Sequence, residues 1–201
     1  MGRGENIVLT GFSGTGKSQV GRQVALMLGW RFVDTDEEIV GQAGKPVHRI
    51  FREEGEATFR TLESQVLREV LAGERQVVST GGGAIVDPAN LRLVLRRGLL
   101  VCLEARPETI CQRLQENTGD AESDVRPLLA GSNSLKRIRT LKAARQPFYA
   151  RARWTIHTDD LTIEEVARET VRAWQLLQGR GQRSDPDLAA VVHHSAGSYP
   201  V

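Results

Sequence analysis

Cysteine is scarce: Cys102 and Cys111 are the only two in 201 residues, and they lack C-x-x-C spacing. This excludes a disulfide scaffold, and both read as reduced, buried thiols. The four histidines (His48, His157, His193 and His194) show no metal-ligand spacing. No apolar run reaches the roughly 18 residues that a membrane span requires. The opening Met1-Gly2-Arg3-Gly4-Glu5-Asn6 has no signal-peptide pattern, and Asn6 stands where a myristoylation site wants Ser or Thr. Charge of one sign is missing too. The 27 Lys and Arg nearly cancel the 25 Asp and Glu, and a net charge of +2 gives no grip on nucleic acid or acidic lipid. The expectation is a cytoplasmic chain with no membrane and no nucleic-acid partner.

What is present is ordinary globular composition, 40% hydrophobic and 26% charged, which excludes collagen-like and wholly disordered chains. At about 150 residues per domain the length suits one domain with an appendage. Such a chain buries roughly 70% of its unfolded surface and needs no metal or disulfide to hold its core.

Short apolar runs alternate with stretches of helical period. The runs are Ile7-Val8-Leu9, Phe32-Val33, Val77-Val78, Leu99 to Leu103 and Trp154-Thr155-Ile156. Continuous apolarity is what strands covered on both faces show. Between them Val20, Val24 and Leu28 recur four apart before Gly29, and Asp87-Pro88 opens a helix with Leu91, Val94 and Leu95 on one face. Thr162-Ile163-Glu164-Glu165 is a capping box, with Val166, Val171, Trp174 and Leu177 beyond it. The alternation predicts a three-layer α/β/α fold around a parallel sheet of about five strands. Two stretches stand apart. Residues 115–131 are polar and read as a mobile lid between helices, and residues from Gly179 onward read as a linker and disordered tail.

Gly11-Phe12-Ser13-Gly14-Thr15-Gly16-Lys17-Ser18 matches G-x-x-x-x-G-K-[ST] between a predicted strand and a predicted helix. With only four Lys in the chain, residue frequencies give about 0.004 chance matches. Glycines let backbone N–H groups wrap phosphates, and the following helix directs its positive end at them. Lys17 reaches the β- and γ-phosphates in such a loop, and the Ser18 hydroxyl takes Mg²⁺. The site binds a nucleoside triphosphate. A GTPase would need N-K-x-D, and no Asn here is followed by Lys.

The second strand ends in Asp34-Thr35-Asp36, at the sheet edge where ligands bind in open α/β folds. Two carboxylates there suit one task near Mg²⁺ and one on an acceptor hydroxyl, and they equally suit capping the next helix. Gly81-Gly82-Gly83 follows the third strand, either as bare backbone for a polar ligand or as a plain turn. Three arginines stand in distinct settings: Arg60 with Glu63 three residues on, Arg126 before Pro127, and Arg145 before Gln146-Pro147. Guanidinium groups suit carboxylates and phosphates. Residues 135–153 carry seven basic residues and no acid, the pattern of a solvated basic helix.

Taken together these motifs resemble the shikimate kinase family, of the P-loop kinase type. They are the phosphate loop, D-T-D at 34–36, G-E-x-x-F-R-x-x-E at 55–63, the triple glycine, R-P-L-L at 126–129 and R-x-P-x-Y at 145–149. The resemblance covers about residues 6–178 and implies a kinase domain over 1–178. It implies ATP-dependent phosphorylation of the shikimate 3-hydroxyl, towards chorismate and the aromatic amino acids, with Mg²⁺ as cofactor and shikimate and ATP as small-molecule substrates. ATP would lie on Gly14, Thr15, Gly16, Lys17, Ser18 and Gln19, with Arg113 near the adenine and Arg126 closing on the transferred phosphate. Ser18 and Asp34 would serve the metal, and Asp36, Arg60, Gly82, Gly83 and Arg145 the shikimate. Lys17, Asp36 and Arg126 would be the catalytic group, and the expected state is a monomer.

Two readings compete with this one: a kinase for another small molecule such as gluconate, and a nucleotide-dependent regulatory protein. The lid is longer and more acidic than the family pattern, with Asp120, Glu122 and Asp124. The tail turns apolar again at Leu188–Val192 and Tyr199–Val201. Its last nine residues resemble the opening strands of dehydroquinate synthase, which implies fusion or association with that enzyme. A nonfunctional extension fits the same residues.

Overall fold

In a computed structural model, residues 6–116 and 133–179 are described. Arg126, all but the first two residues of the expected lid, and the tail after Gly179 lie outside the described residues. The first strand, β1 (Asn6–Thr10), runs into the helix α1 (Lys17–Leu28), which Gly29 stops in a left-handed conformation. Then follow β2 (Arg31–Asp34), α2 (Thr35–Ala43), the helical segment α3 (Val47–Val70) and β3 (Gln76–Ser79). A short 3-10 turn (Ala84–Val86) leads to α4 (Pro88–Arg97), β4 (Gly98–Glu104) and α5 (Pro107–Glu116). Last come α6 (Ser134–Tyr149), β5 (Trp154–His157) and α7 (Ile163–Gly179). The expected helix starts are in place. Asp87 accepts from the amides of Ala89 and Asn90, and Thr162 and Glu165 cap each other reciprocally.

The strands pair in the order β2-β3-β1-β4-β5, all parallel. Successive residues of one strand go to opposite faces. Ile7 and Leu9 pack with Val20, Val24 and Val166 under α1 and α7, whereas Val8 packs with Leu67, Val94 and Tyr149 under α3, α4 and α6. Both faces are covered, which is why the apolar runs are continuous. Truncating a fully buried core residue such as Leu67 to alanine costs about 2–5 kcal/mol.

Gly55 breaks α3, with φ 84° and ψ 169°. A Cβ residue rarely adopts that φ, so the glycine lets the chain restart as a helix that carries Arg60 and Glu63 inward. α7 continues through Gly179, one residue into the stretch read as linker. Cys102 is buried as expected, while Cys111 is only half-buried on α5. Among the described residues, no helix is long and apolar enough to cross a membrane.

Candidate active site

Because every strand points the same way, all five carboxyl ends share one edge of the sheet. From β2 to β5 that edge carries Asp34 and Asp36, then Gly81–Gly83, then the loop after β1, then Glu104, then Thr158. The adjacent strands β1 and β3 send their connections in opposite directions, α1 over one face and α4 over the other, which opens between them the crevice in which open α/β sheets take ligands.

The loop after β1 is shaped for phosphate. A Cβ at Gly11 would fall 2.2 Å from the Leu103 carbonyl oxygen, so only glycine fits against β4. Gly16 takes φ 89° and opens α1 with no side-chain cap, leaving the first-turn amides of Lys17, Ser18 and Gln19 aimed at the loop. The Phe12 carbonyl accepts from Thr15 Oγ1 at 2.9 Å and from Lys17 Nζ at 2.9 Å, so the lysine arches over the loop. Burial pushes the Lys17 ammonium below its ordinary pKa, and the carboxylates of Asp36 and Asp34 pull it back up.

Ser18 Oγ donates to Asp34 Oδ2 at 2.6 Å and lies 3.4 Å from Ser79 Oγ. Asp34 Oδ1 accepts from the Asp36 amide at 3.0 Å and caps α2. The capping reading of this aspartate is therefore met by Oδ1, while Oδ2 faces the Ser18 hydroxyl. A hydroxyl beside a carboxylate is the hard-oxygen donor set that suits Mg²⁺, which keeps several waters and is completed by substrate phosphates. Among the described residues no group of three or more His, Cys, Asp or Glu is placed to hold a metal.

The triple glycine is more than a turn. A Cβ at Gly81 would meet Asp36 Oδ1 and Glu63 Oε1, each at 2.9 Å. One at Gly82 would meet Arg145 Nη1 at 3.3 Å, and one at Gly83 would meet Arg60 Nη1 at 2.9 Å. Bare backbone thus lets an aspartate and two arginines, from three different helices, converge on one rim. Arg60 is held by Glu63, which is 3% exposed, at 2.8 Å. Burial raises the Glu63 pKa, and the Arg60 guanidinium offsets only part of that rise. The rim borders a cleft of about 810 Å³ lined by Arg60, Glu63, Ser64, Gly83, Asn90 and Arg145.

Some of this was not legible in advance. The Tyr149 hydroxyl donates to the Gly82 carbonyl at 2.7 Å, and the Arg145 guanidinium lies over the Phe12 ring, 5.4 Å from its centroid. An aromatic inside a glycine and hydroxyl loop was the available clue to Phe12. The reading of residues 135–153 as a solvated basic helix holds for Lys136, Arg139, Arg151 and Arg153, which are exposed, and is corrected for Lys142 and Arg145, which turn inward. Arg113 lies away from the acceptor rim. Its guanidinium donates to Thr158 Oγ1 at 2.9 Å and to the Thr158 carbonyl at 2.6 Å, beyond β5.

A phosphate loop under a lysine, with a hydroxyl–carboxylate pair on one side and a polar cleft beside it, defines a P-loop kinase for a small molecule. Comparison with known proteins narrows the class. A family model described as shikimate kinase matches residues 13–175. A shikimate kinase of Caldanaerobacter subterraneus subsp. tengcongensis is 44% identical over 88% of this chain and 99% of its own. The structure of an Acinetobacter baumannii shikimate kinase in complex with shikimate is 36% identical, with a TM-score of 0.78, covering 88% of this chain and 94% of that one. The chain belongs to the shikimate kinase family. A gluconokinase from Sinorhizobium meliloti, 19% identical with a TM-score of 0.57 over 90% of this chain and 96% of that one, shares the fold.

Proposed function

We propose that this chain transfers the γ-phosphoryl group of ATP to the 3-hydroxyl of shikimate, giving shikimate 3-phosphate and ADP on the way to chorismate and the aromatic amino acids. The observation that carries the reading is the rim at Gly81–Gly83, where Asp36, Arg145 and Arg60 meet beside the phosphate loop. Two guanidinium groups from separate helices suit one carboxylate. A carboxylate two residues beyond Asp34 suits the hydroxyl that attacks.

In this assignment Gly14, Thr15, Gly16, Ser18 and Gln19 bind the ATP phosphates through loop and first-turn donors, and Lys17 balances the charge on the transferred group. Arg113 lies beside the adenine. Arg60 and Arg145 hold the shikimate carboxylate, with Gly82 and Gly83 at the ring. Asp36 accepts a hydrogen bond from the 3-hydroxyl and is placed to take its proton as the oxygen–phosphorus bond forms. Ser18 and Asp34 would hold Mg²⁺, which supplies charge neutralisation at the β- and γ-phosphates. Arg126, outside the described residues, would close on the transferred phosphate. Catalysis is then by positioning and charge, with no covalent protein intermediate. We assign the kinase to residues 1–178, with the lid at about 115–131 and the remainder as linker and tail.

The experiment is ADP release with each acceptor in turn. Release that requires shikimate supports the proposal. Release stimulated by gluconate would replace it with the other kinase reading. An acceptor-independent ATP-binding protein would point to the regulatory class.

A further inference from the structure

Glu104 ends β4 beside the phosphate loop, and its side chain is only 10% exposed. Both of its oxygens are taken by one stretch of α6. Lys142 Nζ donates to Oε2 at 2.9 Å, and Gln146 Nε2 donates to Oε1 at 2.7 Å. Lys142 also lies 3.5 Å from Gln146 Oε1, so three side chains make one closed set. A carboxylate so far out of water is costly unless paired and fully hydrogen-bonded. This one is, and the phosphoryl transfer described above makes no use of it.

Its place on α6 shows what it does. Lys142 and Gln146 bracket Arg145 in sequence. Pro147 stands inside the same helix and cannot donate to the Ala143 carbonyl, so a rung is missing from its last turn. That turn is fixed from outside at two points, by Glu104 through Lys142 and Gln146, and by Tyr149 through the Gly82 carbonyl. Between these anchors the Arg145 guanidinium rests over the Phe12 ring and against Gly82. Each oxygen of Glu104 accepts one bond from this stretch, so it grips the helix through Lys142 and Gln146.

We infer that Glu104 is a positioning residue for Arg145: through Lys142 and Gln146 it sets where the guanidinium meets the acceptor's carboxylate. The inference rests on the proposed role of Arg145. Glu104 touches neither substrate, so its effect falls on acceptor binding and passes through Arg145.

The test is a double-mutant cycle in the full chain, with kcat and both KM values measured and melting temperatures recorded. Glu104→Gln keeps an acceptor for Gln146 and removes the charge that Lys142 needs. It is expected to raise the KM for shikimate about tenfold, with kcat and the KM for ATP within about twofold of the parent. Glu104→Gln combined with Arg145→Ala should have the shikimate KM of Arg145→Ala alone, because the positioned group is already gone. Additive effects would overturn the inference, since they show Glu104 acting independently of Arg145. A Glu104→Gln enzyme whose shikimate KM is unchanged overturns it as well. If Arg145→Ala alone leaves that KM unaltered, the role given to Arg145 fails, and the inference goes with it. Should Glu104→Gln not fold, Lys142→Met takes its place in the same cycle with the same outcomes.

Discussion

Ser18 and Asp34 meet at the edge of the sheet, the hydroxyl of one donating to Oδ2 of the other at 2.6 Å. The other oxygen of Asp34 holds the start of α2. One carboxylate thus ties the phosphate loop to the end of β2, and the two uses can be separated by mutation. Ser18→Ala removes the hydroxyl and leaves the cap intact. The Mg²⁺ concentration for half-maximal activity should rise by about 10–100-fold, and the melting temperature should fall only by what the lost bond to Asp34 contributes. Asp34→Ala should show the same metal defect and also lose about 1 kcal/mol of stability with the cap. Stripping Mg²⁺ with a chelator should halt turnover in the parent and in both variants. A Ser18→Ala enzyme with unaltered Mg²⁺ dependence would remove the hydroxyl from the metal site.

Lys17 and Asp36 separate in another way. Lys17 arches over the loop to Phe12, and in the proposed role it neutralises transferring charge, so Lys17→Ala should cut kcat on the order of 10²-fold or more with the fold retained. Asp36 sits against Gly81 on the acceptor side. Asp36→Asn should therefore lower kcat far more than it raises the KM for ATP. Circular dichroism would confirm folding in both cases. Near-normal turnover in either variant would contradict its role.

Sequence alone carried the fold well because the apolar runs of the inner strands β1, β3 and β4 are buried on both faces. It carried the phosphate loop for a similar reason: the motif encodes backbone geometry that few other sequences supply. Asp34 could not be resolved in advance, because cap and metal shell want the same residue at the same helix start. The triple glycine stayed ambiguous because its meaning lies in what approaches it. Arg60 and Arg145 arrive from α3 and α6, far apart in sequence. The Glu104–Lys142–Gln146 set was invisible, since a strand-end glutamate and a basic helix each have ordinary surface explanations until they are folded together.

Glu63 provides a pH signature. Its folded-state pKa is raised by burial, and Arg60 offsets only part of the effect. A folded pKa above the unfolded one means that the folded state binds the proton more tightly. The stability contribution of this group is therefore full below the unfolded pKa and lost as pH rises through the raised folded value. Glu63→Gln should abolish that slope in melting temperature over the acidic range. The same protonation weakens the hold on Arg60, so the parent's KM for shikimate should climb on acidification at a higher pH than an ordinary exposed glutamate would give. A KM profile flat through that range would argue against Glu63 as the support of Arg60.

Gly83 tests the acceptor rim by adding one methyl group. Its φ of −108° suits any residue, so alanine strains nothing in the backbone. The new Cβ would lie 2.9 Å from Arg60 Nη1 and 3.2 Å from Nη2, the far end of a flexible side chain. The arginine should give way while the fold does not. Gly83→Ala is expected to raise the KM for shikimate by roughly tenfold, since displacing one partner of a charge-assisted contact is worth about 1–2 kcal/mol. The KM for ATP and the melting temperature should stay close to the parent values. Gly41 supplies the control: it lies inside α2, and a Cβ there would meet nothing within 4 Å. Gly41→Ala should add about 0.5–1 kcal/mol of stability and leave both KM values alone. If Gly83→Ala matches Gly41→Ala in its shikimate KM, Arg60 does not bind the acceptor and the rim must be assigned to something else.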